Sequence, residues 1–288
     1  MKAVFKRELR SYFTGMTGYI FCFLLLMIVG IYTYFNNVNN LLVNFEVSLG
    51  TASYLFLMLA IPILSMRVIA EERRQNTDKL LYSLPLSSFQ IVIGKFLAMT
   101  VVFAIPLSVV SVYPVILAGY GAVPIATCYS TITAFFLLGS SMLAIGMFMS
   151  SITDNQIIAA ISTFLIIAVN YFVSAYAGNV SGSARATLLI VSCLIAALAL
   201  IIYVMTRHIP LSAAAAVVLE GLLVTIYFVK RAWLENLVYD MISAISAFKR
   251  LNVFVNDMFD LSGLVFYLSL TGLFVFFTIL SFEKRRWS

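Results

Sequence analysis

Apolar runs of about 20 residues recur along this chain, and that feature decides what it can fold into. A bilayer's hydrocarbon offers no partner for backbone N–H and C=O groups, so a segment that crosses it closes its hydrogen bonds internally, as a helix does. Eight runs qualify, at about 17–35, 50–66, 96–118, 125–149, 157–177, 187–205, 211–229 and 262–282. Only 10% of the 288 residues are charged, where a soluble domain carries about 25%. The expectation is an all-α integral membrane protein, residues 1–288 forming a single domain with about eight transmembrane helices.

The largest interruption lies between Pro62 and Lys95. Arg67, Glu71, Glu72, Arg73, Arg74, Asp78, Lys79 and Lys95 gather there between two apolar runs. Charge at this density does not lie in hydrocarbon and must reach water. From Val68 to Leu84 the residues Ile69, Leu80, Leu81 and Leu84 recur at helical spacing among the charges. Pro85 ends the pattern, and Ser87 or Ser88 is placed to cap the helix of the third span. Segment 67–95 is therefore expected to carry a short helix along the membrane, charges toward the cytosol. The plainer alternative is a long basic loop.

Residues 1–16 carry Phe5, Leu9, Tyr12 and Phe13 on one helical face and Lys2, Lys6, Arg7 and Arg10 largely on the other. This predicts an interfacial helix with its basic side toward anionic headgroups. No small-residue cleavage site follows the first apolar run, as a secretory signal would need. With the N-terminus in the cytoplasm, alternation places 13 of the 18 Lys and Arg inside and leaves Arg185, Lys230, Arg231, Lys249 and Arg250 outside. That bias follows the positive-inside rule and puts both termini and the 67–95 segment in the cytoplasm. It also accounts for the net charge of +6 without nucleic acid. Between 230 and 261, Leu234, Leu237, Val238, Met241, Ile242, Ile245 and Phe248 form a stripe broken by Glu235, Asn236 and Asp240, the pattern of an extracytoplasmic amphipathic helix.

Little here supports catalysis. Gly94-Lys95 is followed by Phe96, and Phe89 stands where a phosphate loop needs its first glycine. His208 is the sole histidine, which leaves metal centres and histidine-based triads little to work with, and Cys22, Cys128 and Cys193 all fall inside apolar runs. The chain is expected to be no enzyme and to bind no cofactor or metal. Two polar residues stand within spans. Glu220 lies in the middle of 211–229, where a charge costs roughly 3 kcal/mol; it is either a substrate or proton site or a neutral, hydrogen-bonded side chain. Asn170 reads as interhelical polar glue or a weaker binding candidate.

The stretch from Ile61 to Ala98, I-P-I-L-S-M-R-V-I-A-E-E-R-R-Q-N-T-D-K-L-L-Y-S-L-P-L-S-S-F-Q-I-V-I-G-K-F-L-A, resembles the segment joining the second and third spans of ABC-2 type transporter permeases. The gliding-motility and copper-processing branch is the most similar. S-I-T-D-N-Q at Ser151–Gln156 and the ending from Tyr267 to Trp287 match as well, while Asn76 and Asp257 stand where the family commonly has glycine. The resemblance implies a type V exporter fold, with residues 1–16 as the elbow helix and the 187–229 pair added to a six-span core. It implies a coupling helix within 68–84 seated in a separate ATPase subunit, and a second contact at Ser150–Asn155. Arg67, Glu71, Glu72, Arg73, Arg74 and Asp154 would face that subunit, which would bind ATP and Mg²⁺. A second permease copy or paralogue would complete a dimer in the cytoplasmic membrane. The function implied is the permease subunit of an ATP-driven exporter; the alternative is a membrane scaffold relaying ATPase motion to an extracytoplasmic accessory protein.

Overall fold

The computed structural model describes residues 1–40, 44–75, 77, 87–176, 188, 192, 220–221, 227, 246–256 and 259–287. Among them every regular element is helical: α1 (Lys2–Thr14), α2 (Thr17–Thr33), α3 (Phe45–Ser65), α4 (Ala70–Arg74), α5 (Ser88–Val110), α6 (Tyr113–Ala118), α7 (Ile125–Ile152), α8 (Gln156–Tyr176), α9 (Ala247–Val255) and α10 (Leu261–Trp287). A π-helical turn, Tyr34–Asn39, prolongs α2. Six segments are long and apolar enough to cross a membrane: Thr17–Asn39, Phe45–Arg74, Ser88–Ala118, Ile125–Ile152, Gln156–Ala175 and Leu261–Arg285. The protein is thus a helical, multi-pass membrane protein. The expected spans at 187–205 and 211–229, apart from residues 188, 192, 220–221 and 227, lie outside the described residues, as do the 78–84 part of the coupling stripe, the 230–245 part of the amphipathic stripe and the departures at Asn76 and Asp257.

Two helices begin well before the expected boundaries. The second span starts at Phe45 and the third at Ser88, because the fold buries the polar residues that ended the apolar runs. Glu46 is 4% exposed and accepts a hydrogen bond from Cys128 Sγ at 3.4 Å. Ser87 caps α5, its hydroxyl accepting from Gln90 N at 3.3 Å. Pro114 sits in the first turn of α6, where its missing N–H costs nothing, so the chain breaks between α5 and α6 and resumes.

The chain divides into two compact units, Met1–Tyr171 with Ala247–Ser288, and Phe172–Ser246. In the first, α7 lies at the centre and packs against α3, α5, α9 and α10. Lipid is as apolar as a leucine side chain, so such helices are held by close fit and polar contacts more than by removal from water. Small residues make the fit. A methyl group at Gly146 would run into the Ser65 side chain of α3, and one at Gly139 into the ring of Phe103 on α5. Phe21, Phe56, Phe103 and Phe135, all without solvent exposure, meet from α2, α3, α5 and α7. Their rings lie 5.2 Å apart for Phe21–Phe56 and 5.4 Å for Phe103–Phe135, both edge to face.

The two ends of this unit differ in chemistry. One end gathers α1, α4 and the neighbouring ends of α5, α7 and α10, and carries the ion pairs of Arg7, Arg67, Arg73, Lys95 and Arg285. At the other, the contacts include Ser48 donating to Asn37 Oδ1 at 2.6 Å, Thr131 to the Phe254 carbonyl at 3.2 Å, Arg250 to Ser262 at 2.9 Å, and Asp260 accepting from Ser262 N at 2.9 Å. Helix α9 packs near that second end, with Ala247, Phe248, Leu251 and Phe254 buried.

Candidate functional site

The charged end is built outward from a break in a helix. After Ser65 the α3 helix loosens through four residues before α4 begins. A break of this kind strands backbone groups that need partners. Ser150, near the end of α7, supplies them: its hydroxyl accepts from Ile69 N at 3.2 Å and Ala70 N at 3.0 Å and donates to the Met66 carbonyl at 3.1 Å. One side chain thereby fixes where the A-E-E-R-R segment leaves the bundle.

From that anchor, Glu72 points inward to a four-charge cluster. The Lys95 ammonium lies 2.9 Å from Glu72 Oε1 and 3.1 Å from Glu8 Oε1, and donates to the Val68 carbonyl at 2.9 Å. Arg7 bridges the same two acids, 2.6 Å from Glu72 Oε1 and 2.5 Å from Glu8 Oε1. The Lys95 side chain has no solvent exposure. Two cations against two carboxylates leave the cluster neutral, the condition under which buried charge is tolerated. Burial alone pushes the Glu8 carboxyl up, but the Lys95 ammonium and the Arg7 guanidinium outweigh it and hold Glu8 below its ordinary value of 4.5. The cluster ties α1, α4 and α5 together.

A second cluster ties α4 to α7 and α10. Arg73 is buried, donates to the Ser151 carbonyl and lies 3.8 Å from Asp154 Oδ1. Asp154 also takes a hydrogen bond from Arg285 at 2.7 Å, and Ser281 donates to the same Ser151 carbonyl at 3.1 Å. Arg67 grips Glu71 one turn on through two bonds of 2.6 and 2.9 Å, and Gln75 reaches the same carboxylate at 3.3 Å. Arg74 is exposed.

The six residues singled out in the sequence are thus close neighbours, arranged in two layers. Glu72 and Arg73 face the bundle. Arg67 and Glu71 form a half-exposed pair, and Arg74 and Asp154 face outward. Glu8, Arg7, Lys95, Ser150 and Arg285 complete the network and were not among them.

The two intramembrane candidates make other contacts. Asn170 Oδ1 accepts from Ala247 N at 3.1 Å and so caps the first turn of α9, which Tyr267 also holds by donating to the Ala247 carbonyl at 2.9 Å. Glu220 accepts a hydrogen bond from Ser192 at 3.0 Å within the second unit. Among the described residues no group of three His, Cys, Asp or Glu side chains gathers as a metal would require. No family model, curated protein or solved structure matches the chain.

Proposed function

We propose that this chain is the permease subunit of an ABC-2 type, ATP-driven transporter, an exporter in which the charged end faces the cytoplasm and docks a separate ATPase. The observation that supports it most is the two-layered segment at Arg67–Arg74. Its outer residues, Arg74 and Gln75 with Asp154 and Asn155 beside them, are exposed, while Glu72 and Arg73 are bonded to α1, α5 and α7 and Asp154 carries the link on to Arg285 of α10. A partner that pulls on such a segment moves helices at several points at once. A ligand shifts a conformational equilibrium only through contacts that differ between its states, and a rigidly tied handle provides them.

In this reading ATP and Mg²⁺ are bound by the partner, and this chain contributes the docking surface and the path. A second permease copy or paralogue completes the pathway. The two-layer arrangement refines the role of each charge: Arg74 and Asp154 contact the ATPase directly, with the Arg67–Glu71 pair at the rim, while Glu72 and Arg73 transmit.

The test is purification of the tagged chain from its native membrane with its bound ATPase. Arg74→Glu should release the ATPase while the helical bundle keeps its melting temperature. Retention of the ATPase at unchanged stoichiometry and rate would refute the docking role. The scaffold alternative is separated by reconstitution: ATP hydrolysis that moves no candidate substrate, with an accessory protein still bound, would favour it.

A further inference from the structure

Beside the Asp154–Arg285 pair, a groove of about 590 Å³ opens between the ends of α7 and α10, within the range of roughly 300–1,000 Å³ usual for ligand sites. Its floor is apolar, formed by Phe148, Ile152, Phe277 and Leu280. Ile152 is 53% exposed and Leu280 44%, so the floor stands open. The wall is firm, because the Phe148 and Phe277 rings already pack 5.7 Å apart.

The mouth has the opposite character. Lys284 and Arg285 line it, both exposed, with Ser281 between them and the floor. Two carboxylates belong to the same neighbourhood: Asp154, which holds Arg285, and exposed Glu283 on α10. Positive charge still prevails, since E-K-R-R at 283–286 alone carries a net +2.

An apolar trough in the flank of a membrane helix pair, ending under cations at the water boundary, matches one kind of molecule in both halves. We propose that this groove binds a single anionic phospholipid, its acyl chain along Phe277 and Leu280 and its phosphate against Lys284 and Arg285. Basic pockets between helices near a membrane surface select anionic headgroups, each cation contributing about 1 kcal/mol, or roughly fivefold in affinity. Inorganic phosphate shares the headgroup chemistry but makes no use of the floor. A second copy of the chain would cover the floor but leaves the cations unexplained. The site stands independently of the transporter reading.

The experiment uses the delipidated full chain in detergent, with bound molecules counted by native mass spectrometry. The probes are phosphatidylglycerol, phosphatidylcholine of the same acyl chains, and inorganic phosphate. One phosphatidylglycerol should be retained in preference to phosphatidylcholine, and phosphate should not displace it. Lys284→Gln should weaken retention about fivefold, and Leu280→Trp, which fills the trough, should weaken it with the charge intact. Circular dichroism melting checks that both variants stay folded. Equal retention of the two lipids, displacement by phosphate, or unaltered binding in both folded variants would overturn the proposal. So would a lipid-free dimer that Leu280→Trp dissociates.

Discussion

The Lys95 ammonium lies 2.9 Å from a Glu72 carboxylate oxygen, with its side chain wholly removed from solvent. The contact joins the start of the third span to the charged segment that follows the second, and Glu8 and Arg7 of the first helix close the cluster.

Removing Lys95 alone should be costly. Lys95→Met leaves Glu8 and Glu72 facing each other with only Arg7 between them, and breaking a buried ion pair on one side costs about 3–5 kcal/mol. Lys95→Met combined with Glu8→Gln and Glu72→Gln removes the uncompensated charge and should recover most of that loss. Thermal unfolding in detergent reads the difference, and a triple variant no more stable than Lys95→Met would contradict the pairing.

The same cluster fixes a pH dependence. The folded-state value of Glu8 is depressed below 4.5, so its contribution is fully present above that pH and is lost as pH falls through the lower folded value. Glu8→Gln should therefore be less stable than the parent at pH 7. The gap should narrow as the pH drops below about 4.5. A gap that widened with acid would reverse the sign of the account.

Ser150 and Ser151 are adjacent but should respond differently. Ser150→Ala removes the hydroxyl that serves Ile69 N, Ala70 N and the Met66 carbonyl, a loss of about 1–2 kcal/mol. Ser151 acts through its backbone carbonyl, and its hydroxyl bonds only to Phe148 O one turn back. Ser151→Ala should cost under about 0.5 kcal/mol. Hydrogen exchange at Ile69 and Ala70 should rise in the first variant and stay level in the second.

Asn170 offers a local test far from the charges. Asn170→Ala deletes the acceptor for Ala247 N, worth about 1 kcal/mol as a helix cap. Exchange across 247–255 should quicken while that of 125–152 holds. Uniform quickening would mean that Asn170 braces the bundle as a whole.

How much of this was legible beforehand depends on what each residue contacts. The six described spans could be read from apolar run length, because hydrocarbon thickness sets that length whatever the neighbours are. That the A-E-E-R-R segment is a charged break after the second apolar run could be read, because its charge density is local information. Its two-layer division could not. Whether Glu72 turns inward depends on Lys95 and Glu8, which tertiary packing brings to it. Two signals did exist: Glu8 is an acid on an otherwise basic amphipathic helix, and Lys95 interrupts the apolar I-V-I-G-K-F-L-A run. A charge that breaks a favourable pattern calls for a partner. Ser150 carried no such mark, since serine is common in spans and its role comes from the helix break opposite.

The most direct measurement of the central claim is photo-crosslinking from the exposed outer layer in native membranes. A crosslinker is placed at Arg74 and, separately, at Asn155. Both positions should label one nucleotide-binding protein, and a crosslinker at Val169, exposed on α8 about 20 Å along the helix from Gln156, should not. Labelling of lipid alone at Arg74 and Asn155, or of the same protein from Val169, would contradict a docking surface for an ATPase at this end of the bundle.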